Sequence, residues 1–309
     1  MNSAVDPTTG LVPRVTGLRK RLSAAGLLVL VLLCAACGGP QSAVVATDAS
    51  SIPFAPTLDS DPFYAQPDPL PNVPPGTILK SRASQFTPTE GVPLTPLYPA
   101  WQIQYMSTDV NGHPQAVMAT VVKPLLPSLT SPTPLLSYQM AYDSLGSACT
   151  PSHTLNGSTN NITNQLDSTA YLQALITQGW PIVFPDYEGP YSEYGAGVQA
   201  GQATLDGIRA VLSFAPLGLS AQTPVAMWGY SGGALASSWA ATLQHSYAPE
   251  LNIVAVATGG TPTNTFDIVK HAENGSYFSL IFGAVLGADR AYPELIPDGF
   301  LNDKGKAAV

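Results

Sequence analysis

The sequence predicts an α/β fold, in which helices cover both faces of a mostly parallel sheet. One observation is that short apolar strand segments alternate with amphipathic helical segments through the second half of the chain. The other is the sequence Gly229-Tyr230-Ser231-Gly232-Gly233, which directly follows the apolar run 225–228. In this G-x-S-x-G pattern the glycines allow a sharp strand-to-helix turn, so that the serine hydroxyl projects from the end of the sheet.

The strands are predicted from apolar runs that end at turn residues. A hairpin opens the sheet, with Asp109-Val110-Asn111-Gly112 as its turn between strands 101–106 and 116–122. Further buried strands are predicted at 135–140, 181–185, 225–228 and 253–257. Because these later strands are separated by helical segments, we expect them to pair in parallel.

Three helices are predicted from their apolar spacing, at 170–178, 198–214 and 233–245. The second carries Leu205, Ile208 and Val211 on one face. The segment 266–295 is also apolar and helical in pattern. In a hydrolase it would form a cap over the site, at about 265–300, but its sequence equally fits one more packing helix.

The N-terminus has the pattern of an export signal over residues 1–36. Basic residues precede the apolar run 22–33, and small residues then lead to Cys37. The sequence Ala35-Ala36-Cys37 resembles the lipobox of bacterial lipoproteins, although Cys34 stands where leucine is usual. We expect lipidation at Cys37, with an ordinary cleaved signal peptide as the alternative. Residues 37–75 are rich in Pro and Ser and predict a tether to a folded domain at 76–309.

Composition narrows the functional classes. A 45% hydrophobic and 10% charged chain of 309 residues is long enough for one large folded domain. Its net charge of −8 argues against nucleic acid or an anionic membrane as an electrostatic partner. If Cys37 carries lipid, Cys149 is either a buried thiol or paired with a cysteine outside these residues.

The G-x-S-x-G turn predicts a nucleophilic serine at Ser231. The oxyanion of such a site is held by backbone N–H groups, one from Gly232 and one from the loop 141–146 that follows an earlier strand. A histidine base and an orienting acid are also needed, and at this turn the chain order is serine, acid, histidine.

No histidine or acid in the sequence stands where the base or the orienting acid is expected. His245 and His271 are the only histidines after Ser231, and we expect both at surface or packing positions. His113 and His153 precede the serine, in a hairpin turn and a loop. Two acids, Asp186 and Glu188, follow an earlier strand. As the orienting acid, either would break the expected chain order, because both precede Ser231. The later aspartates are predicted to be solvated; they are Asp267, Asp289, Asp298 and Asp303.

From about residue 79 onward the chain resembles the secretory lipase family of α/β-hydrolases. The resemblance rests on several motifs in order: 103–109, 137–139, 143–145, 149–152, 185–189, 228–233, 247–251 and 259–262. It implies Ser231 as the nucleophile, Gly232 and Asp143 as oxyanion donors, and a disulfide partner for Cys149 farther along. It also implies hydrolysis of acylglycerols or simpler esters, without a metal or cofactor.

The chain departs from this family pattern at its end. In the family the acid and the histidine come well after the cap, and this sequence stops inside or just after that region. We therefore expect an exported or lipid-anchored lipase or esterase whose C-terminal part, with the triad Asp and His, is absent. The alternatives are a non-catalytic surface lipoprotein on the same scaffold and a hydrolase of another acyl bond. The expected partners are a lipid or small ester and the membrane through Cys37; no nucleic acid or protein partner is predicted.

Overall fold

A computed structural model of the chain describes residues 59–157 except 90, 91 and 127, and residues 167–308 except 169, 173, 175–177, 274, 294–296 and 298–300. The predicted signal segment, Cys37 and residues up to 58 of the predicted tether lie outside this part of the chain. Within it, no helix has the length and the apolar character needed to cross a membrane.

A seven-stranded mixed sheet forms the centre of the molecule. Its strands are β1 Ile78–Ser84, β2 Ala100–Thr108, β3 Pro114–Val122, β4 Leu135–Gln139, β5 Ile182–Pro185, β6 Val225–Tyr230 and β7 Ile253–Gly259. They are arranged in the order β1-β2-β3-β5-β4-β6-β7. The first three are antiparallel, and β5, β4, β6 and β7 are parallel to one another. The predicted hairpin and parallel strands are confirmed.

One strand, β1, was not predicted. It forms an edge of the sheet and is only partly buried. Its sequence includes Lys80 and Arg82, and it follows a proline-rich stretch. An edge strand with charged residues lacks the apolar run that identifies a buried strand.

Six helices are described, with bounds α1 Pro151–Thr154, α2 Gly197–Leu212, α3 Gly232–Tyr247, α4 Thr265–Ala272, α5 Phe278–Ala291 and α6 Asp303–Ala308. The predictions at 198–214 and 233–245 match α2 and α3 to within two residues. The described residues of the predicted helix 170–178 are helical as well. The single segment predicted at 266–295 is divided into α4 and α5.

Apolar cores lie on both faces of the sheet because side chains alternate along each strand. On β4, Leu135 belongs to the core that includes Ala203 of α2 and Ala236 of α3. Its neighbours Leu136 and Tyr138 belong to the opposite core, with Tyr171. Helical segments therefore cover both faces, as the sequence predicted.

Residues 59–66 pack against the folded unit, whereas the sequence analysis placed the start of that unit at 76. Asp61 forms a 2.6 Å ion pair with Arg82 of β1. The Tyr64 ring stacks on His153 of α1, with 4.1 Å between ring centroids. Gln66 exchanges two hydrogen bonds with the backbone of Ala116 on β3.

Cys149 is buried and disulfide-bonded. The interpretation as a buried thiol is therefore wrong. The chain contains two other cysteines, Cys34 and Cys37, and both lie outside the described residues.

Candidate active site

Ser231 occupies the sharp turn between β6 and α3. Its backbone has φ 53° and ψ −119°, a conformation that non-glycine residues rarely adopt. The Ser231 N–H donates a 2.9 Å hydrogen bond to the Gly259 carbonyl at the end of β7. The predicted strand-turn-helix context is thus present, and the serine lies at the carboxyl end of the parallel strands.

The glycines around Ser231 allow close contacts between backbones. A Cβ atom added to Gly229 would overlap the carbonyl oxygen of Gly233. One added to Gly233 would overlap the carbonyl oxygen of Gln139, the last residue of β4. Because these neighbours are backbone atoms held in regular structure, a side chain at either position would displace α3 from β4 and β6.

Gly232 and Asp143 lie side by side next to Ser231. As the first residue of α3, Gly232 has an N–H group without an intrahelical acceptor. A Cβ atom added to Gly232 would overlap Oδ1 of Asp143. Asp143 itself has φ 38°, in the left-handed region, within the loop that follows β4. The structure therefore brings together the three residues that the sequence selected.

The loop 140–146, which we term the oxyanion loop, is held by the segment that follows β5. The Tyr187 hydroxyl donates a 2.6 Å hydrogen bond to the Met140 carbonyl. Oε2 of Glu188 accepts a hydrogen bond from the Ser144 N–H at 3.3 Å. The Glu188 N–H in turn donates to the Tyr142 hydroxyl at 2.7 Å. Glu188, which the sequence analysis considered only as an acid out of order, thus supports the loop.

Arg290, near the end of α5, contacts the same loop. Its side chain donates to the carbonyl oxygens of Leu145, Tyr191 and Ser192 at 3.0, 2.7 and 3.0 Å. Burial lowers the pKa of this guanidinium to about 10, although Glu188 and Glu193 counteract the shift. No local sequence pattern identifies this contact, because its partners lie far away along the chain.

Several buried or partly buried carboxyl groups lie near the oxyanion loop. Burial and, secondarily, the charge of Asp167 raise the pKa of Asp143 to about 7. Burial raises the pKa of Asp167 to about 6. It also raises the pKa of Glu188, with Asp143 as the next cause. Burial followed by the charge of Asp109 raises the pKa of Glu193 to about 8. Near neutral pH these groups therefore favour the protonated form more than ordinary carboxyls do.

The Asp143 carboxyl is less solvated than the residue as a whole. Asp143 is partly exposed, but its Oδ1 is buried and has no hydrogen-bond partner among the described residues. Since this atom lies against Gly232, a negative charge on it would repel an oxyanion held by the Gly232 N–H. The raised pKa of Asp143 reduces that repulsion near neutral pH.

All four histidines lie in the described part of the chain, and none forms a hydrogen bond with Ser231 there. His113 bonds Asp109 at 3.0 Å in the hairpin turn, and His153 bonds Asp59. His271 bonds the Asp267 carbonyl, and His245 is exposed on α3. His245 and His271 were predicted at surface or packing positions, and both are exposed.

Among the described carboxylates, one differs from its predicted position. Asp186 is buried and accepts hydrogen bonds from Ser152 of α1. Asp267 and Asp303 are exposed, as predicted, and Asp298 lies outside the described residues. The prediction that Asp289 is solvated is wrong, because it is only 3% exposed.

Asp289 is buried because the second half of α5 packs closely on the segment 191–195. A Cβ atom added to Gly287 would overlap the backbone of Tyr194. A Cβ atom added to Gly195 would lie 2.8 Å from the Ala284 carbonyl oxygen. Such close backbone contacts leave no room for solvent around this end of α5.

Comparison with known proteins gives consistent results. The family model described as secretory lipase matches residues 154–308. Lipase 5 of Candida albicans is 38% identical over 239 residues, which cover 76% of this chain and 51% of that protein. A Mycobacterium tuberculosis protein named "Probable inactive lipase MT1628" is 37% identical over 260 residues, covering 81% of this chain and 57% of that protein.

Among solved structures, Candida antarctica lipase A in its closed state superposes with a TM-score of 0.73 at 32% identity. The match covers 81% of this chain and 57% of the lipase. The chain thus spans about half the length of the relatives it matches. With the matching family model, the α/β-hydrolase sheet and the G-x-S-x-G turn, the chain belongs to the secretory lipase family.

Proposed function

We propose that this chain carries the nucleophilic half of a serine carboxylic-ester hydrolase, with acylglycerols or simpler esters as substrates. The observation that supports it most is the strained Ser231 turn, where Gly232 and Asp143 lie beside the serine. Ester hydrolysis by a serine requires a projecting hydroxyl and N–H donors for the oxyanion in this arrangement.

In the proposed reaction Ser231 Oγ attacks the carbonyl carbon of the ester. Its proton passes to a base, and the carbonyl oxygen becomes an oxyanion that accepts hydrogen bonds from the N–H groups of Gly232 and Asp143. When this intermediate collapses, the bond to the alcohol breaks and the alcohol leaves with a proton. Water then attacks the acyl-serine, which releases the acid and restores the hydroxyl.

No base for Ser231 is identified among the described residues. None of the four histidines bonds Ser231 in the described structure, and the chain spans about half of its relatives. We propose that these 309 residues do not supply the histidine and its acid. Their activity is then expected to be only that of binding and oxyanion stabilisation, about 10³–10⁴-fold over water in well-studied serine hydrolases.

A second candidate function is a non-catalytic surface lipoprotein that uses the hydrolase scaffold for binding. It is favoured because no histidine forms a hydrogen bond with Ser231 in the described part of the chain, and one relative is itself named a probable inactive lipase. A third candidate, a hydrolase of another acyl bond such as an amide, uses the same nucleophile.

Export and anchoring are part of the proposal. The basic, apolar and small residues that precede Cys37 support a lipoprotein signal. A sulfur atom carries either a lipid thioether or a disulfide. The proposal therefore requires that Cys149 is paired with neither Cys37 nor Cys34 in the mature protein, since Cys34 leaves with the signal segment.

The three functions are separated by labelling and turnover. A fluorophosphonate probe and short-chain nitrophenyl esters are applied to the full chain, its Ser231→Ala variant and a Ser238→Ala control. Slow labelling and turnover that depend on Ser231 but not on Ser238 support the hydrolase. Equal behaviour of all three proteins supports the non-catalytic scaffold, and faster cleavage of matched amides supports the third candidate.

A further inference from the structure

The loop between β3 and β4, residues 123–134, places leucine side chains in solvent. Leu125, Leu126 and Leu129 are 58, 74 and 89% exposed. A single exposed leucine needs no explanation, but three within five residues concentrate apolar surface on one loop. We term residues 123–134 the leucine loop.

A second loop extends this apolar surface. Val92 and Leu97, which precede β2, are 49 and 57% exposed. The two loops are adjacent, since the Lys123 N–H donates a 2.9 Å hydrogen bond to the Pro99 carbonyl. Together they place five large apolar side chains at one end of the molecule.

The sequence around this surface also carries few charges. The chain contains 20 acidic residues, yet none lies in 91–108 or in 110–142. The one Lys or Arg in these ranges is Lys123, whose Nζ donates to the Pro216 carbonyl at 2.6 Å. The leucine loop can therefore enter an apolar medium without desolvating a carboxylate of its own, which is the costliest step for an acidic protein, whereas Glu90 lies two residues before Val92 in the second loop.

The shape and the rim of this surface favour a bilayer over a protein groove. The leucines project from a loop that carries Pro124, Pro132 and Pro134, which restrict its backbone. At the rim, the indole N–H of the partly buried Trp180 donates to the Thr130 hydroxyl at 3.2 Å. Such an aromatic ring, apolar on one side and hydrogen-bonded on the other, is typical of the membrane interface.

We propose that the leucine loop, with Val92 and Leu97, inserts into the interface of a neutral lipid bilayer. The surface has no cationic cluster, and the protein has a net charge of −8, so anionic lipid does not promote the contact. Insertion depends on the leucines rather than on Ser231 or ester hydrolysis.

The contact fixes the orientation of the molecule on the membrane. The leucine loop joins Val122, which pairs with the first residue of β5, to Leu135, which pairs with the first residue of β6. It therefore lies at the amino ends of the parallel strands. Ser231 follows the carboxyl end of the six-residue β6, about 20 Å away at the rise of a strand. A molecule held by the leucine loop presents Ser231 to the aqueous side.

Photolabelling of the full chain on phosphatidylcholine vesicles tests this orientation. The vesicles contain a phosphatidylcholine with a diazirine in its acyl chain, and labelled peptides are identified by mass spectrometry. The apolar run 22–33 serves as an internal positive control for membrane contact. We expect label in peptides that cover 124–134 as well as in 22–33, and none in 253–259.

The matched variants are Leu126→Ser/Leu129→Ser and, on the exposed strand β7, Val254→Ser/Val256→Ser. The first is expected to reduce label in 124–134 at least about tenfold, and the second to leave it unchanged. Both pairs are exposed, so the variants should fold, as circular dichroism would verify. Label confined to 22–33, label at 253–259 in place of 124–134, or no label at all would overturn the proposal.

Discussion

The Arg290 side chain donates a 3.0 Å hydrogen bond to the carbonyl oxygen of Leu145 and so joins α5 to the oxyanion loop. The same nitrogen donates to Tyr191 and Ser192, and the residue is only 7% exposed. Since Asp143 lies in the loop that Arg290 holds, the position of α5 affects the geometry of the proposed oxyanion donors.

Replacement of Arg290 by methionine is expected to destabilise the fold by about 2–5 kcal/mol, because three carbonyl groups lose their donor. Arg290→Lys keeps the charge and some of the bonds, so we expect at most about half of that loss. Urea unfolding of the three proteins measures both. A free energy of unfolding for Arg290→Met within about 0.5 kcal/mol of the unaltered chain would show that these bonds contribute little.

The buried carboxyls predict that stability falls as pH rises from 5 to 8. The folded pKa of Asp143 is about 7, above the ordinary value of 3.8, so the folded state binds this proton more tightly than the unfolded state. The free energy of unfolding is therefore highest below the ordinary pKa of 3.8. It falls as pH rises through 7, in total by about 1.4 kcal/mol for each unit by which folding raises the pKa. Glu193, with a pKa of about 8, acts in the same direction.

Asp143→Asn tests the contribution of one group, because an amide imitates the protonated carboxyl. We expect this variant to lose less stability between pH 5 and 8 than the unaltered chain does. Asp303→Asn, at an exposed position, is the matched control and should retain the full dependence. Identical pH dependence of unfolding in all three proteins would contradict the assignment to Asp143.

The edge strand β7 predicts self-association. Within the described part of the chain β7 pairs with β6 on one side and has no neighbour on the other. Val254 and Val256 are 58 and 41% exposed. We expect the chain to bind a hydrophobic dye and to associate as concentration rises, because an exposed apolar edge offers unpaired backbone groups to another strand.

Lysines on an edge prevent strand addition, so Val254→Lys/Val256→Lys should reduce both dye binding and association. Val269→Lys on α4 is the control, since Val269 is also 41% exposed but lies on a helix. Light scattering and dye fluorescence would record the difference. The same association in the edge variant and in the control would assign it to another surface.

Lipidation of Cys37 is tested by metabolic labelling with a fatty-acid analogue in a bacterial expression host. We expect incorporation into the unaltered chain and loss of label in Cys37→Ala. Cys34→Ala, which keeps the modified residue, should be labelled normally. Equal label in the Cys37→Ala variant would exclude the predicted anchor.

The parts of the fold that the sequence predicted are those with a local signature. Apolar runs bounded by turn residues predicted β2 to β7, and the glycines around Ser231 predicted the turn between β6 and α3. By contrast, the edge strand β1 has charged residues and no continuous apolar run, so its pairing depends on β2 rather than on its own sequence.

The support of the site could not be predicted in the same way. Arg290 and Leu145 are 145 residues apart, and only the tertiary fold brings them together. The burial of Asp289 likewise depends on the segment 191–195, which packs on the second half of α5. The roles of Ser231 and Gly232 could be proposed from sequence because the turn and the following helix fix their geometry locally, whereas Asp143 was selected through the family resemblance.

Chemical rescue with imidazole tests the central claim, which is that Ser231 is a positioned nucleophile without a base. Nitrophenyl-ester turnover of the full chain is compared with that of Ser231→Ala at increasing imidazole, so that hydrolysis by imidazole itself is subtracted. We predict turnover barely above the variant without imidazole and a Ser231-dependent increase as imidazole takes the hydroxyl proton. Robust Ser231-dependent turnover without imidazole, or no difference from Ser231→Ala at any concentration, would contradict the account.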